Sequence, residues 1–357
     1  LSQEDKFRPV IAITVGDLNG IGLEIIIKTL SDVRILNYCI PIIYGNVSAL
    51  NYHKKTMDNK QFVFHQITTI EQLHPKRINL INCWEDNIKI NLGMQNPENG
   101  KYAFLSLKRA VEDAQLDRVH GILTAPIDKF SMQSDDFKFP GHTEYLSERF
   151  NCKTLMLMVS EQLRVGTVTG HIPISEVADS ITTELIIDKL KLMHNTLYKD
   201  FSIKAPKIAV IGLNPHAGDS GLIGKEEEEI IIPAIESAKS KGALVFGPFP
   251  ADGFFGTRMY QNFDGVLTIY HDQGLVPFKT ISFENGVNYT AGLPIPRTSP
   301  DHGVAYNIAG KDMADESSFR SALYLLLDVI KERSFFKEIN ENPLQKQFIV
   351  DKEKRPE

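Results

Sequence analysis

Three histidines each stand just beyond a run that reads as a β-strand: His171 in VGTVTGHIP, His216 in VIGLNPHAG and His271 in LTIYHDQG. In open α/β sheets ligands bind outside the carboxyl ends of the strands, so three strand-end histidines can converge in one crevice. Neutral imidazole is the commonest protein ligand for a divalent metal, and three of them leave a position open to a substrate oxygen. Any one of them alone reads more simply as a hydrogen-bonded structural residue or a substrate contact. Residues that set backbone geometry lie beside each: Pro173, Pro215 with Gly218, and Gly274. Asp272, next to His271, and Asp252 in FPADGFF are candidates to orient ligands or move protons. Ordinary turn chemistry is an equal reading for Asp252.

A second set can bind anions or polar groups: His142 and Thr143 in FPGHTEY, Lys279, Asn288 in NGVNYT, and Arg297 in LPIPRTSP. Lys279 and Arg297 can give charge-assisted hydrogen bonds to phosphate or carboxylate, Arg in bidentate fashion. Read singly, each is a solvated surface charge. The irregular SPDHGVAYNIAGKDMAD, residues 299 to 315, would let a flat or phosphorylated ligand approach backbone amides closely. GDLNGIG near the start lacks the full spacing of a dinucleotide-binding turn, and Asp17 sits inside it.

These residues must be held by something. Apolar, β-branched runs alternate with amphipathic segments, the pattern of α/β units around a largely parallel sheet. Strands are predicted at 9–15, PIIYGN, INLINCW, GILTAP, TLMLMVS, LRVGTVTGH, KIAVIGL and GVLTIYH. Helices are predicted after GDLNGIG, at 98–118, at GHTEYLSERF with Thr143 or a neighbour as N-cap, and at TTELIIDKLKLMHNTLYKDF. KEEEEIIIPAIESAKSKG reads as one helix, acidic where it begins and basic where it ends. From His271 to about residue 310 the glycines and prolines predict loop, and RSALYLLLDVIKE predicts a closing helix. The first residues and the polar tail from about 343 are expected to be peripheral.

At 357 residues, with 42% apolar and 24% charged residues, the chain has an ordinary globular composition and length for two α/β domains or one large one. A net charge of −6 argues against nucleic acid or an anionic membrane as the main partner. No run approaches the roughly 18 apolar residues of a membrane span, and no leader pattern is present, so the expected location is the cytoplasm. Cys39, Cys83 and Cys152 form no paired motif and read as free thiols.

The ordered set GDLNGIGLE, TAPIDK, FPGHTEY, TGHIP, LNPHAGDSGLIGKEE, FPADGFF, YHDQGLVPFK and GVNYTAGLPIPRTSPDHGVAYNIAG resembles the 4-hydroxythreonine-4-phosphate dehydrogenase family of vitamin B6 synthesis, from about residue 9 to 330. The HG-x-A-x-x-IAGK segment is also similar to isocitrate and isopropylmalate dehydrogenases. The resemblance implies two α/β/α domains with a cleft between them. The first would be discontinuous, 1–137 and 291–357; the second, 138–290, would carry the dimer contact and the metal and substrate site. It further implies a homodimer with shared active sites. Its reaction would be the NAD-dependent oxidation of 4-phosphooxy-L-threonine at its C3 hydroxyl, then decarboxylation to 3-amino-2-oxopropyl phosphate.

Residue by residue, His171, His216 and His271 fall on the family's metal ligands, with His271 expected from the partner subunit. His142, Thr143, Lys279, Asn288 and Arg297 fall on its substrate contacts. The stretch from 292 to 310, with Gly292, Leu293, Pro294, His302, Gly303 and Asn307, falls on the part that receives the dinucleotide. Asp272, Lys279 and Asp252 are the candidates for proton transfer. The metal is left open among zinc, magnesium, manganese and cobalt.

Some positions depart from the pattern. Asn19 and Leu23 replace commoner residues in the first turn, Gly253 stands where PADT is usual, and Asn307 stands where an acid is common, which leaves NADP open beside NAD. Two other functions fit the same residues. A paralogue could oxidise a threonate or erythronate phosphate, and a metallohydrolase or phosphate-binding module could use the histidines without redox chemistry.

Overall fold

The computed structural model describes residues 7–57, 61–85 and 88–342. The lead-in and the tail expected to be peripheral lie largely outside these residues. Twelve strands form one sheet: β1 Val10–Thr14, β2 Ile40–Gly45, β3 Phe64–Ile67, β4 Ile78–Asn82, β5 Gly121–Thr124, β6 Leu155–Val159, β7 Arg164–Thr167, β8 Lys207–Ile211, β9 Leu244–Phe249, β10 Gly265–Thr268, β11 Val287–Ala291 and β12 Arg297–Pro300. Their order across the sheet is β3-β4-β2-β1-β5-β12-β11-β6-β7-β10-β8-β9. Pairing is parallel except at the centre, where β12 and β11, β11 and β6, and β6 and β7 run antiparallel. Helices cover both faces, so the central strands are buried on both sides. Their near-continuous apolar runs reflect that burial.

The long helices form where the sequence supplies both a start and an apolar stripe. In helix Pro97–Gln115 the Asn96 side chain accepts from the Glu98 N–H at 2.9 Å, Pro97 opens the first turn, and Ala103, Leu107, Ala110, Val111 and Ala114 are buried. It ends three residues short of the predicted 118, with Asp117 at a φ of 54°. In helix Thr183–Lys199, Thr182 caps the Leu185 N–H at 3.1 Å, and Ile186, Leu190, Met193 and Leu197 face the sheet. Two apolar cores draw mainly on residues before 150 and after 287, and two others on residues 155–291.

Three expectations are corrected. The span from His271 to 310 is not mostly loop: helix His271–Ser282 and the antiparallel strands β11 and β12 lie in it. Gly274 does not break that helix; a Cβ there would stand 2.6 Å from Thr268 Oγ1 and 2.7 Å from Val165 Cγ1, so glycine lets the helix sit against β7 and β10. The KEEEEIII helix is two pieces, a π-helical turn Glu227–Ile231 and the helix Ile232–Ser240, the second opened by Pro233. Thr143 is not the N-cap of helix His142–Arg149; that position is Gly141, without a side-chain cap.

Candidate active site

The pocket lies where β5, β7 and β10 end and the chain turns out of the sheet, with the β11–β12 pair as its floor. Its volume is about 530 Å³. The tails of β7 and β10 stay joined beyond the strands, because Val168 N–H donates to Thr268 O at 2.8 Å and Thr169 N–H to Ile269 O at 3.0 Å. This joint carries His171 and His271 to the pocket side by side, ring centroids 5.0 Å apart.

Both imidazoles present a ring nitrogen at the pocket. His271 Nδ1–H donates to Asp272 Oδ1 at 2.7 Å, which leaves Nε2 as the ring nitrogen available to a ligand. Burial, and after it the charge of Lys129, hold His171 below the ordinary imidazole range. Lys129 Nζ donates to His171 Nε2 at 3.4 Å.

The opposite wall is built to receive an anion. Arg297 is buried, and its guanidinium donates only to threonine hydroxyls: Nε and Nη2 to Thr124 Oγ1 at 3.1 and 2.5 Å, and Nη1 to Thr290 Oγ1 at 3.1 Å. Burial pushes its pKa down to about 9. A buried charge is normally paired with an opposite charge, and neutral hydroxyls do not replace one. Around it, His142 Nε2, Asn288 Oδ1 and His302 Nε2 are buried without a hydrogen-bond partner. Burial, Arg297 and Lys129 together hold His142 well below the ordinary imidazole range, and burial also lowers His302. Buried polar atoms are nearly always paired, so three orphans around one pocket mark a place for a polar ligand.

Of the residues singled out in the sequence, His142, Thr143, His171, His271, Asp272, Lys279, Asn288, Arg297, His302 and Gly303 line this pocket. His216 does not; it is exposed on a turn after β8 where His216, Ala217, Asp219 and Ser220 all have positive φ. Among the described residues of one chain no three metal-ligating side chains come together. Asp252 is also outside, exposed at the start of helix Ala251–Gly256. Gly292, Leu293 and Pro294 do not line it: Gly292 packs on Lys153 O, Leu293 is buried, and the Leu293 and Pro294 carbonyls accept from Arg333.

Asn307 is exposed on the loop after β12, outside the pocket lining. That loop is tied to the first turn: Ile21 N–H donates to Val304 O at 3.1 Å and Tyr306 OH to Asp17 Oδ2 at 2.7 Å. Asn19, one of the departures from the family pattern, is a hub there. Its Oδ1 accepts from Asn91 N–H and Asn99 Nδ2, and its Nδ2 donates to Met94 O.

The sequence reading missed Lys129, Glu144 and Asp301, which share the pocket wall. Lys129 lies inside the motif TAPIDK, where Asp128 before it caps a short helix by accepting from Ser131 N–H at 3.0 Å.

A family model described as pyridoxal phosphate biosynthetic protein PdxA matches residues 37–326. The chain is 49% identical over 348 residues to a 4-hydroxythreonine-4-phosphate dehydrogenase of Bacteroides thetaiotaomicron, covering 97% of this chain and 95% of that one. A relative in Oceanobacillus iheyensis, 40% identical over 327 residues (90% of this chain, 98% of that one), is named provisionally as a D-threonate 4-phosphate dehydrogenase. Among solved structures, a 4-hydroxythreonine-4-phosphate dehydrogenase from Burkholderia phymatum matches with a TM-score of 0.75 at 36% identity, covering 91% of this chain and 99% of that one. The enzyme of the same name from Klebsiella pneumoniae matches with a TM-score of 0.79 at 31% identity, covering 92% and 99%.

Proposed function

The chain belongs to the pyridoxal phosphate biosynthetic protein PdxA family and is an enzyme, and from that premise we propose that it oxidises 4-phosphooxy-L-threonine at the C3 hydroxyl with NAD. Loss of CO₂ from the resulting β-keto acid then gives 3-amino-2-oxopropyl phosphate. The observation that carries this reading is the buried Arg297, whose hydrogen-bond partners among the described residues are neutral hydroxyls, with the unpaired His142 Nε2, Asn288 Oδ1 and His302 Nε2 in the same pocket. Such a wall fits a small, doubly anionic, hydroxyl-bearing substrate.

Arg297 and Lys279 bind and orient the phosphate and carboxylate, and His142 and Thr143 lie on the phosphate side. Held so, the substrate presents its C3 hydroxyl to the His171 and His271 wall. The donor chemistry of that wall suits a divalent metal, since two imidazole side chains stand side by side and imidazole is a common ligand for such ions. Such a metal, when bound, supplies an electrophile that acidifies the hydroxyl and stabilises the enolate left by decarboxylation. NAD, when bound along the loop of His302, Gly303 and Asn307, supplies the hydride acceptor. Asp272 orients His271 through Nδ1 and lines the pocket, which keeps it a candidate for the base; Asp252 is no longer a candidate in the same chain.

The division of ligands differs from the one implied by the resemblance. His271 sits beside His171 of its own chain, so His216, exposed on its turn, is the histidine we assign to a second copy. The protein is on this reading a homodimer whose sites are shared.

The test is to mix protein, NAD⁺ and 4-phosphooxy-L-threonine with and without chelator, following NADH and CO₂ together. Equal yields that vanish with chelator are expected; NADH without CO₂ rules the decarboxylation out. The Oceanobacillus relative favours a second reading, oxidation of a threonate or erythronate phosphate. Turnover of the sugar-acid phosphate, with none of the amino substrate, would establish it.

A further inference from the structure

We propose that Asp301 is a positioning residue of this site, holding the Lys279 ammonium at the pocket wall for an anionic group of the substrate. The proposal rests on the reading above that the pocket takes a phosphorylated ligand. Lys279 projects from helix His271–Ser282, and its Nζ lies 3.3 Å from Asp301 Oδ1. The same ammonium donates to the Asp301 carbonyl at 3.2 Å. One hydrogen bond and one ion-pair contact thus tie the ammonium to a single residue, and it keeps donors for a ligand. A lysine side chain is long and flexible, so fixing its head in advance removes an ordering cost from each binding event.

Asp301 is itself held. Its N–H donates to Ser318 Oγ at 3.1 Å, and Ser318 Oγ donates to Gly286 O at 2.8 Å. A Cβ on Gly286 would stand 3.1 Å from Asp301 Oδ2 and 2.9 Å from Phe278 Cε1, so glycine leaves the carboxylate its place. A chain of contacts therefore runs from the start of helix Ser317–Glu341, through Asp301, to Lys279. Asp301 is 11% exposed, and burial raises its pKa against the opposing charges of Lys279, His302 and His271. Engaged by Asp301 in this way, Lys279 is placed to serve as an anion contact.

The experiment uses the full chain with Asp301→Asn, Lys279→Ala and the double variant. The readouts are Lys279 acetylation rate by mass spectrometry, affinity for inorganic phosphate, and KM and kcat with the phosphorylated substrate. In Asp301→Asn, Lys279 should acetylate at least about threefold faster. Phosphate affinity should fall about tenfold in either single variant and no further in the double, because coupled partners are not additive. KM should rise by a similar factor while kcat stays within about twofold. Ser318→Ala, which removes the acceptor of the Asp301 N–H and the donor to Gly286 O, should show the same pattern more weakly. Unchanged acetylation of Lys279, or losses that multiply in the double variant, would overturn the proposal. A wild type that binds phosphate but reduces no NAD sinks the functional reading instead, and acetylation with the phosphate cycle still decides the role of Asp301.

Discussion

His271 and His216 follow the same sequence logic and reach different places. Each stands a few residues past a parallel strand, β10 for one and β8 for the other, and those strands are paired neighbours. After β10 the backbone stays extended through Tyr270, with φ −135° and ψ 164°, and then enters a helix at His271. Gln273 fastens that entry: it accepts from Ile269 N–H at 2.7 Å and donates to Gly212 O at 2.6 Å. After β8 the chain instead passes Pro215 into a left-handed turn, with His216 at φ 54° and Ala217 at φ 52°. Glu227 anchors it, accepting from Asn214 N–H at 2.8 Å and Asn214 Nδ2 at 2.9 Å. A strand end brings a residue to the rim of the sheet. The backbone of the next three residues decides whether it faces its own pocket or the outside.

The comparison breaks most sharply in mixed dimers. On the proposed reading each of His271→Ala and His216→Ala removes a metal ligand and should lose turnover by a factor of at least about 10³. Unfolded and refolded together in equal amounts, they should recover about a quarter of wild-type activity. Half of the dimers would be mixed, and each would hold one site with every histidine in place. Recovery is read as NADH formation. No recovery, or a His216→Ala protein that works normally on its own, removes His216 from the site.

The elements were legible where one period or one burial state ran unbroken. The strands of the parallel sheet showed as apolar runs because both their faces are covered, and helix Thr183–Lys199 showed through its stripe of Ile186, Leu190, Met193 and Leu197. Helix His271–Ser282 was hidden because Gly274 and Pro277 carry the local signature of a break, while the reason for Gly274 is the distance to Thr268 and Val165, a tertiary fact. In the site, Arg297 and His142 could be named by resemblance, but that the guanidinium meets only hydroxyls needs Thr124 and Thr290 in three dimensions. Asp301 escaped because its partner Lys279 is 22 residues away. Gly292, Leu293 and Pro294 were placed by motif position, which does not reveal that Arg333 from the last helix takes two of their carbonyls.

The His271 side sharpens through Gly274→Ala. A Cβ forced against Thr268 and Val165 should cost about 2 kcal/mol or more of overpacking, partly offset by about 1 kcal/mol of better helix propensity. A net loss of at least about 1 kcal/mol in denaturant unfolding is expected, together with reduced activity as His271 is displaced. Gly253→Ala isolates the propensity term, since it is also helical and a Cβ there meets nothing within 4 Å. If both variants gain stability, close packing is not what selects glycine at 274.

The smallest effect belongs to the His216 side. Ala217 sits at φ 52° and ψ 44°, a conformation that costs an L-residue about 1 to 2 kcal/mol and glycine almost nothing. Ala217→Gly also loosens the unfolded chain, which takes back about 0.4 to 1 kcal/mol. The net expectation is a gain of about 0.5 kcal/mol, read as a higher denaturant midpoint at unchanged slope. If the left-handed turn exists to aim His216 at a second copy, the freer glycine should also lower activity several-fold in the same protein, because more backbone conformations compete with the aimed one. A gain in stability with full activity would leave the strain without that purpose, and a loss of stability would show that Ala217 packs usefully where it stands.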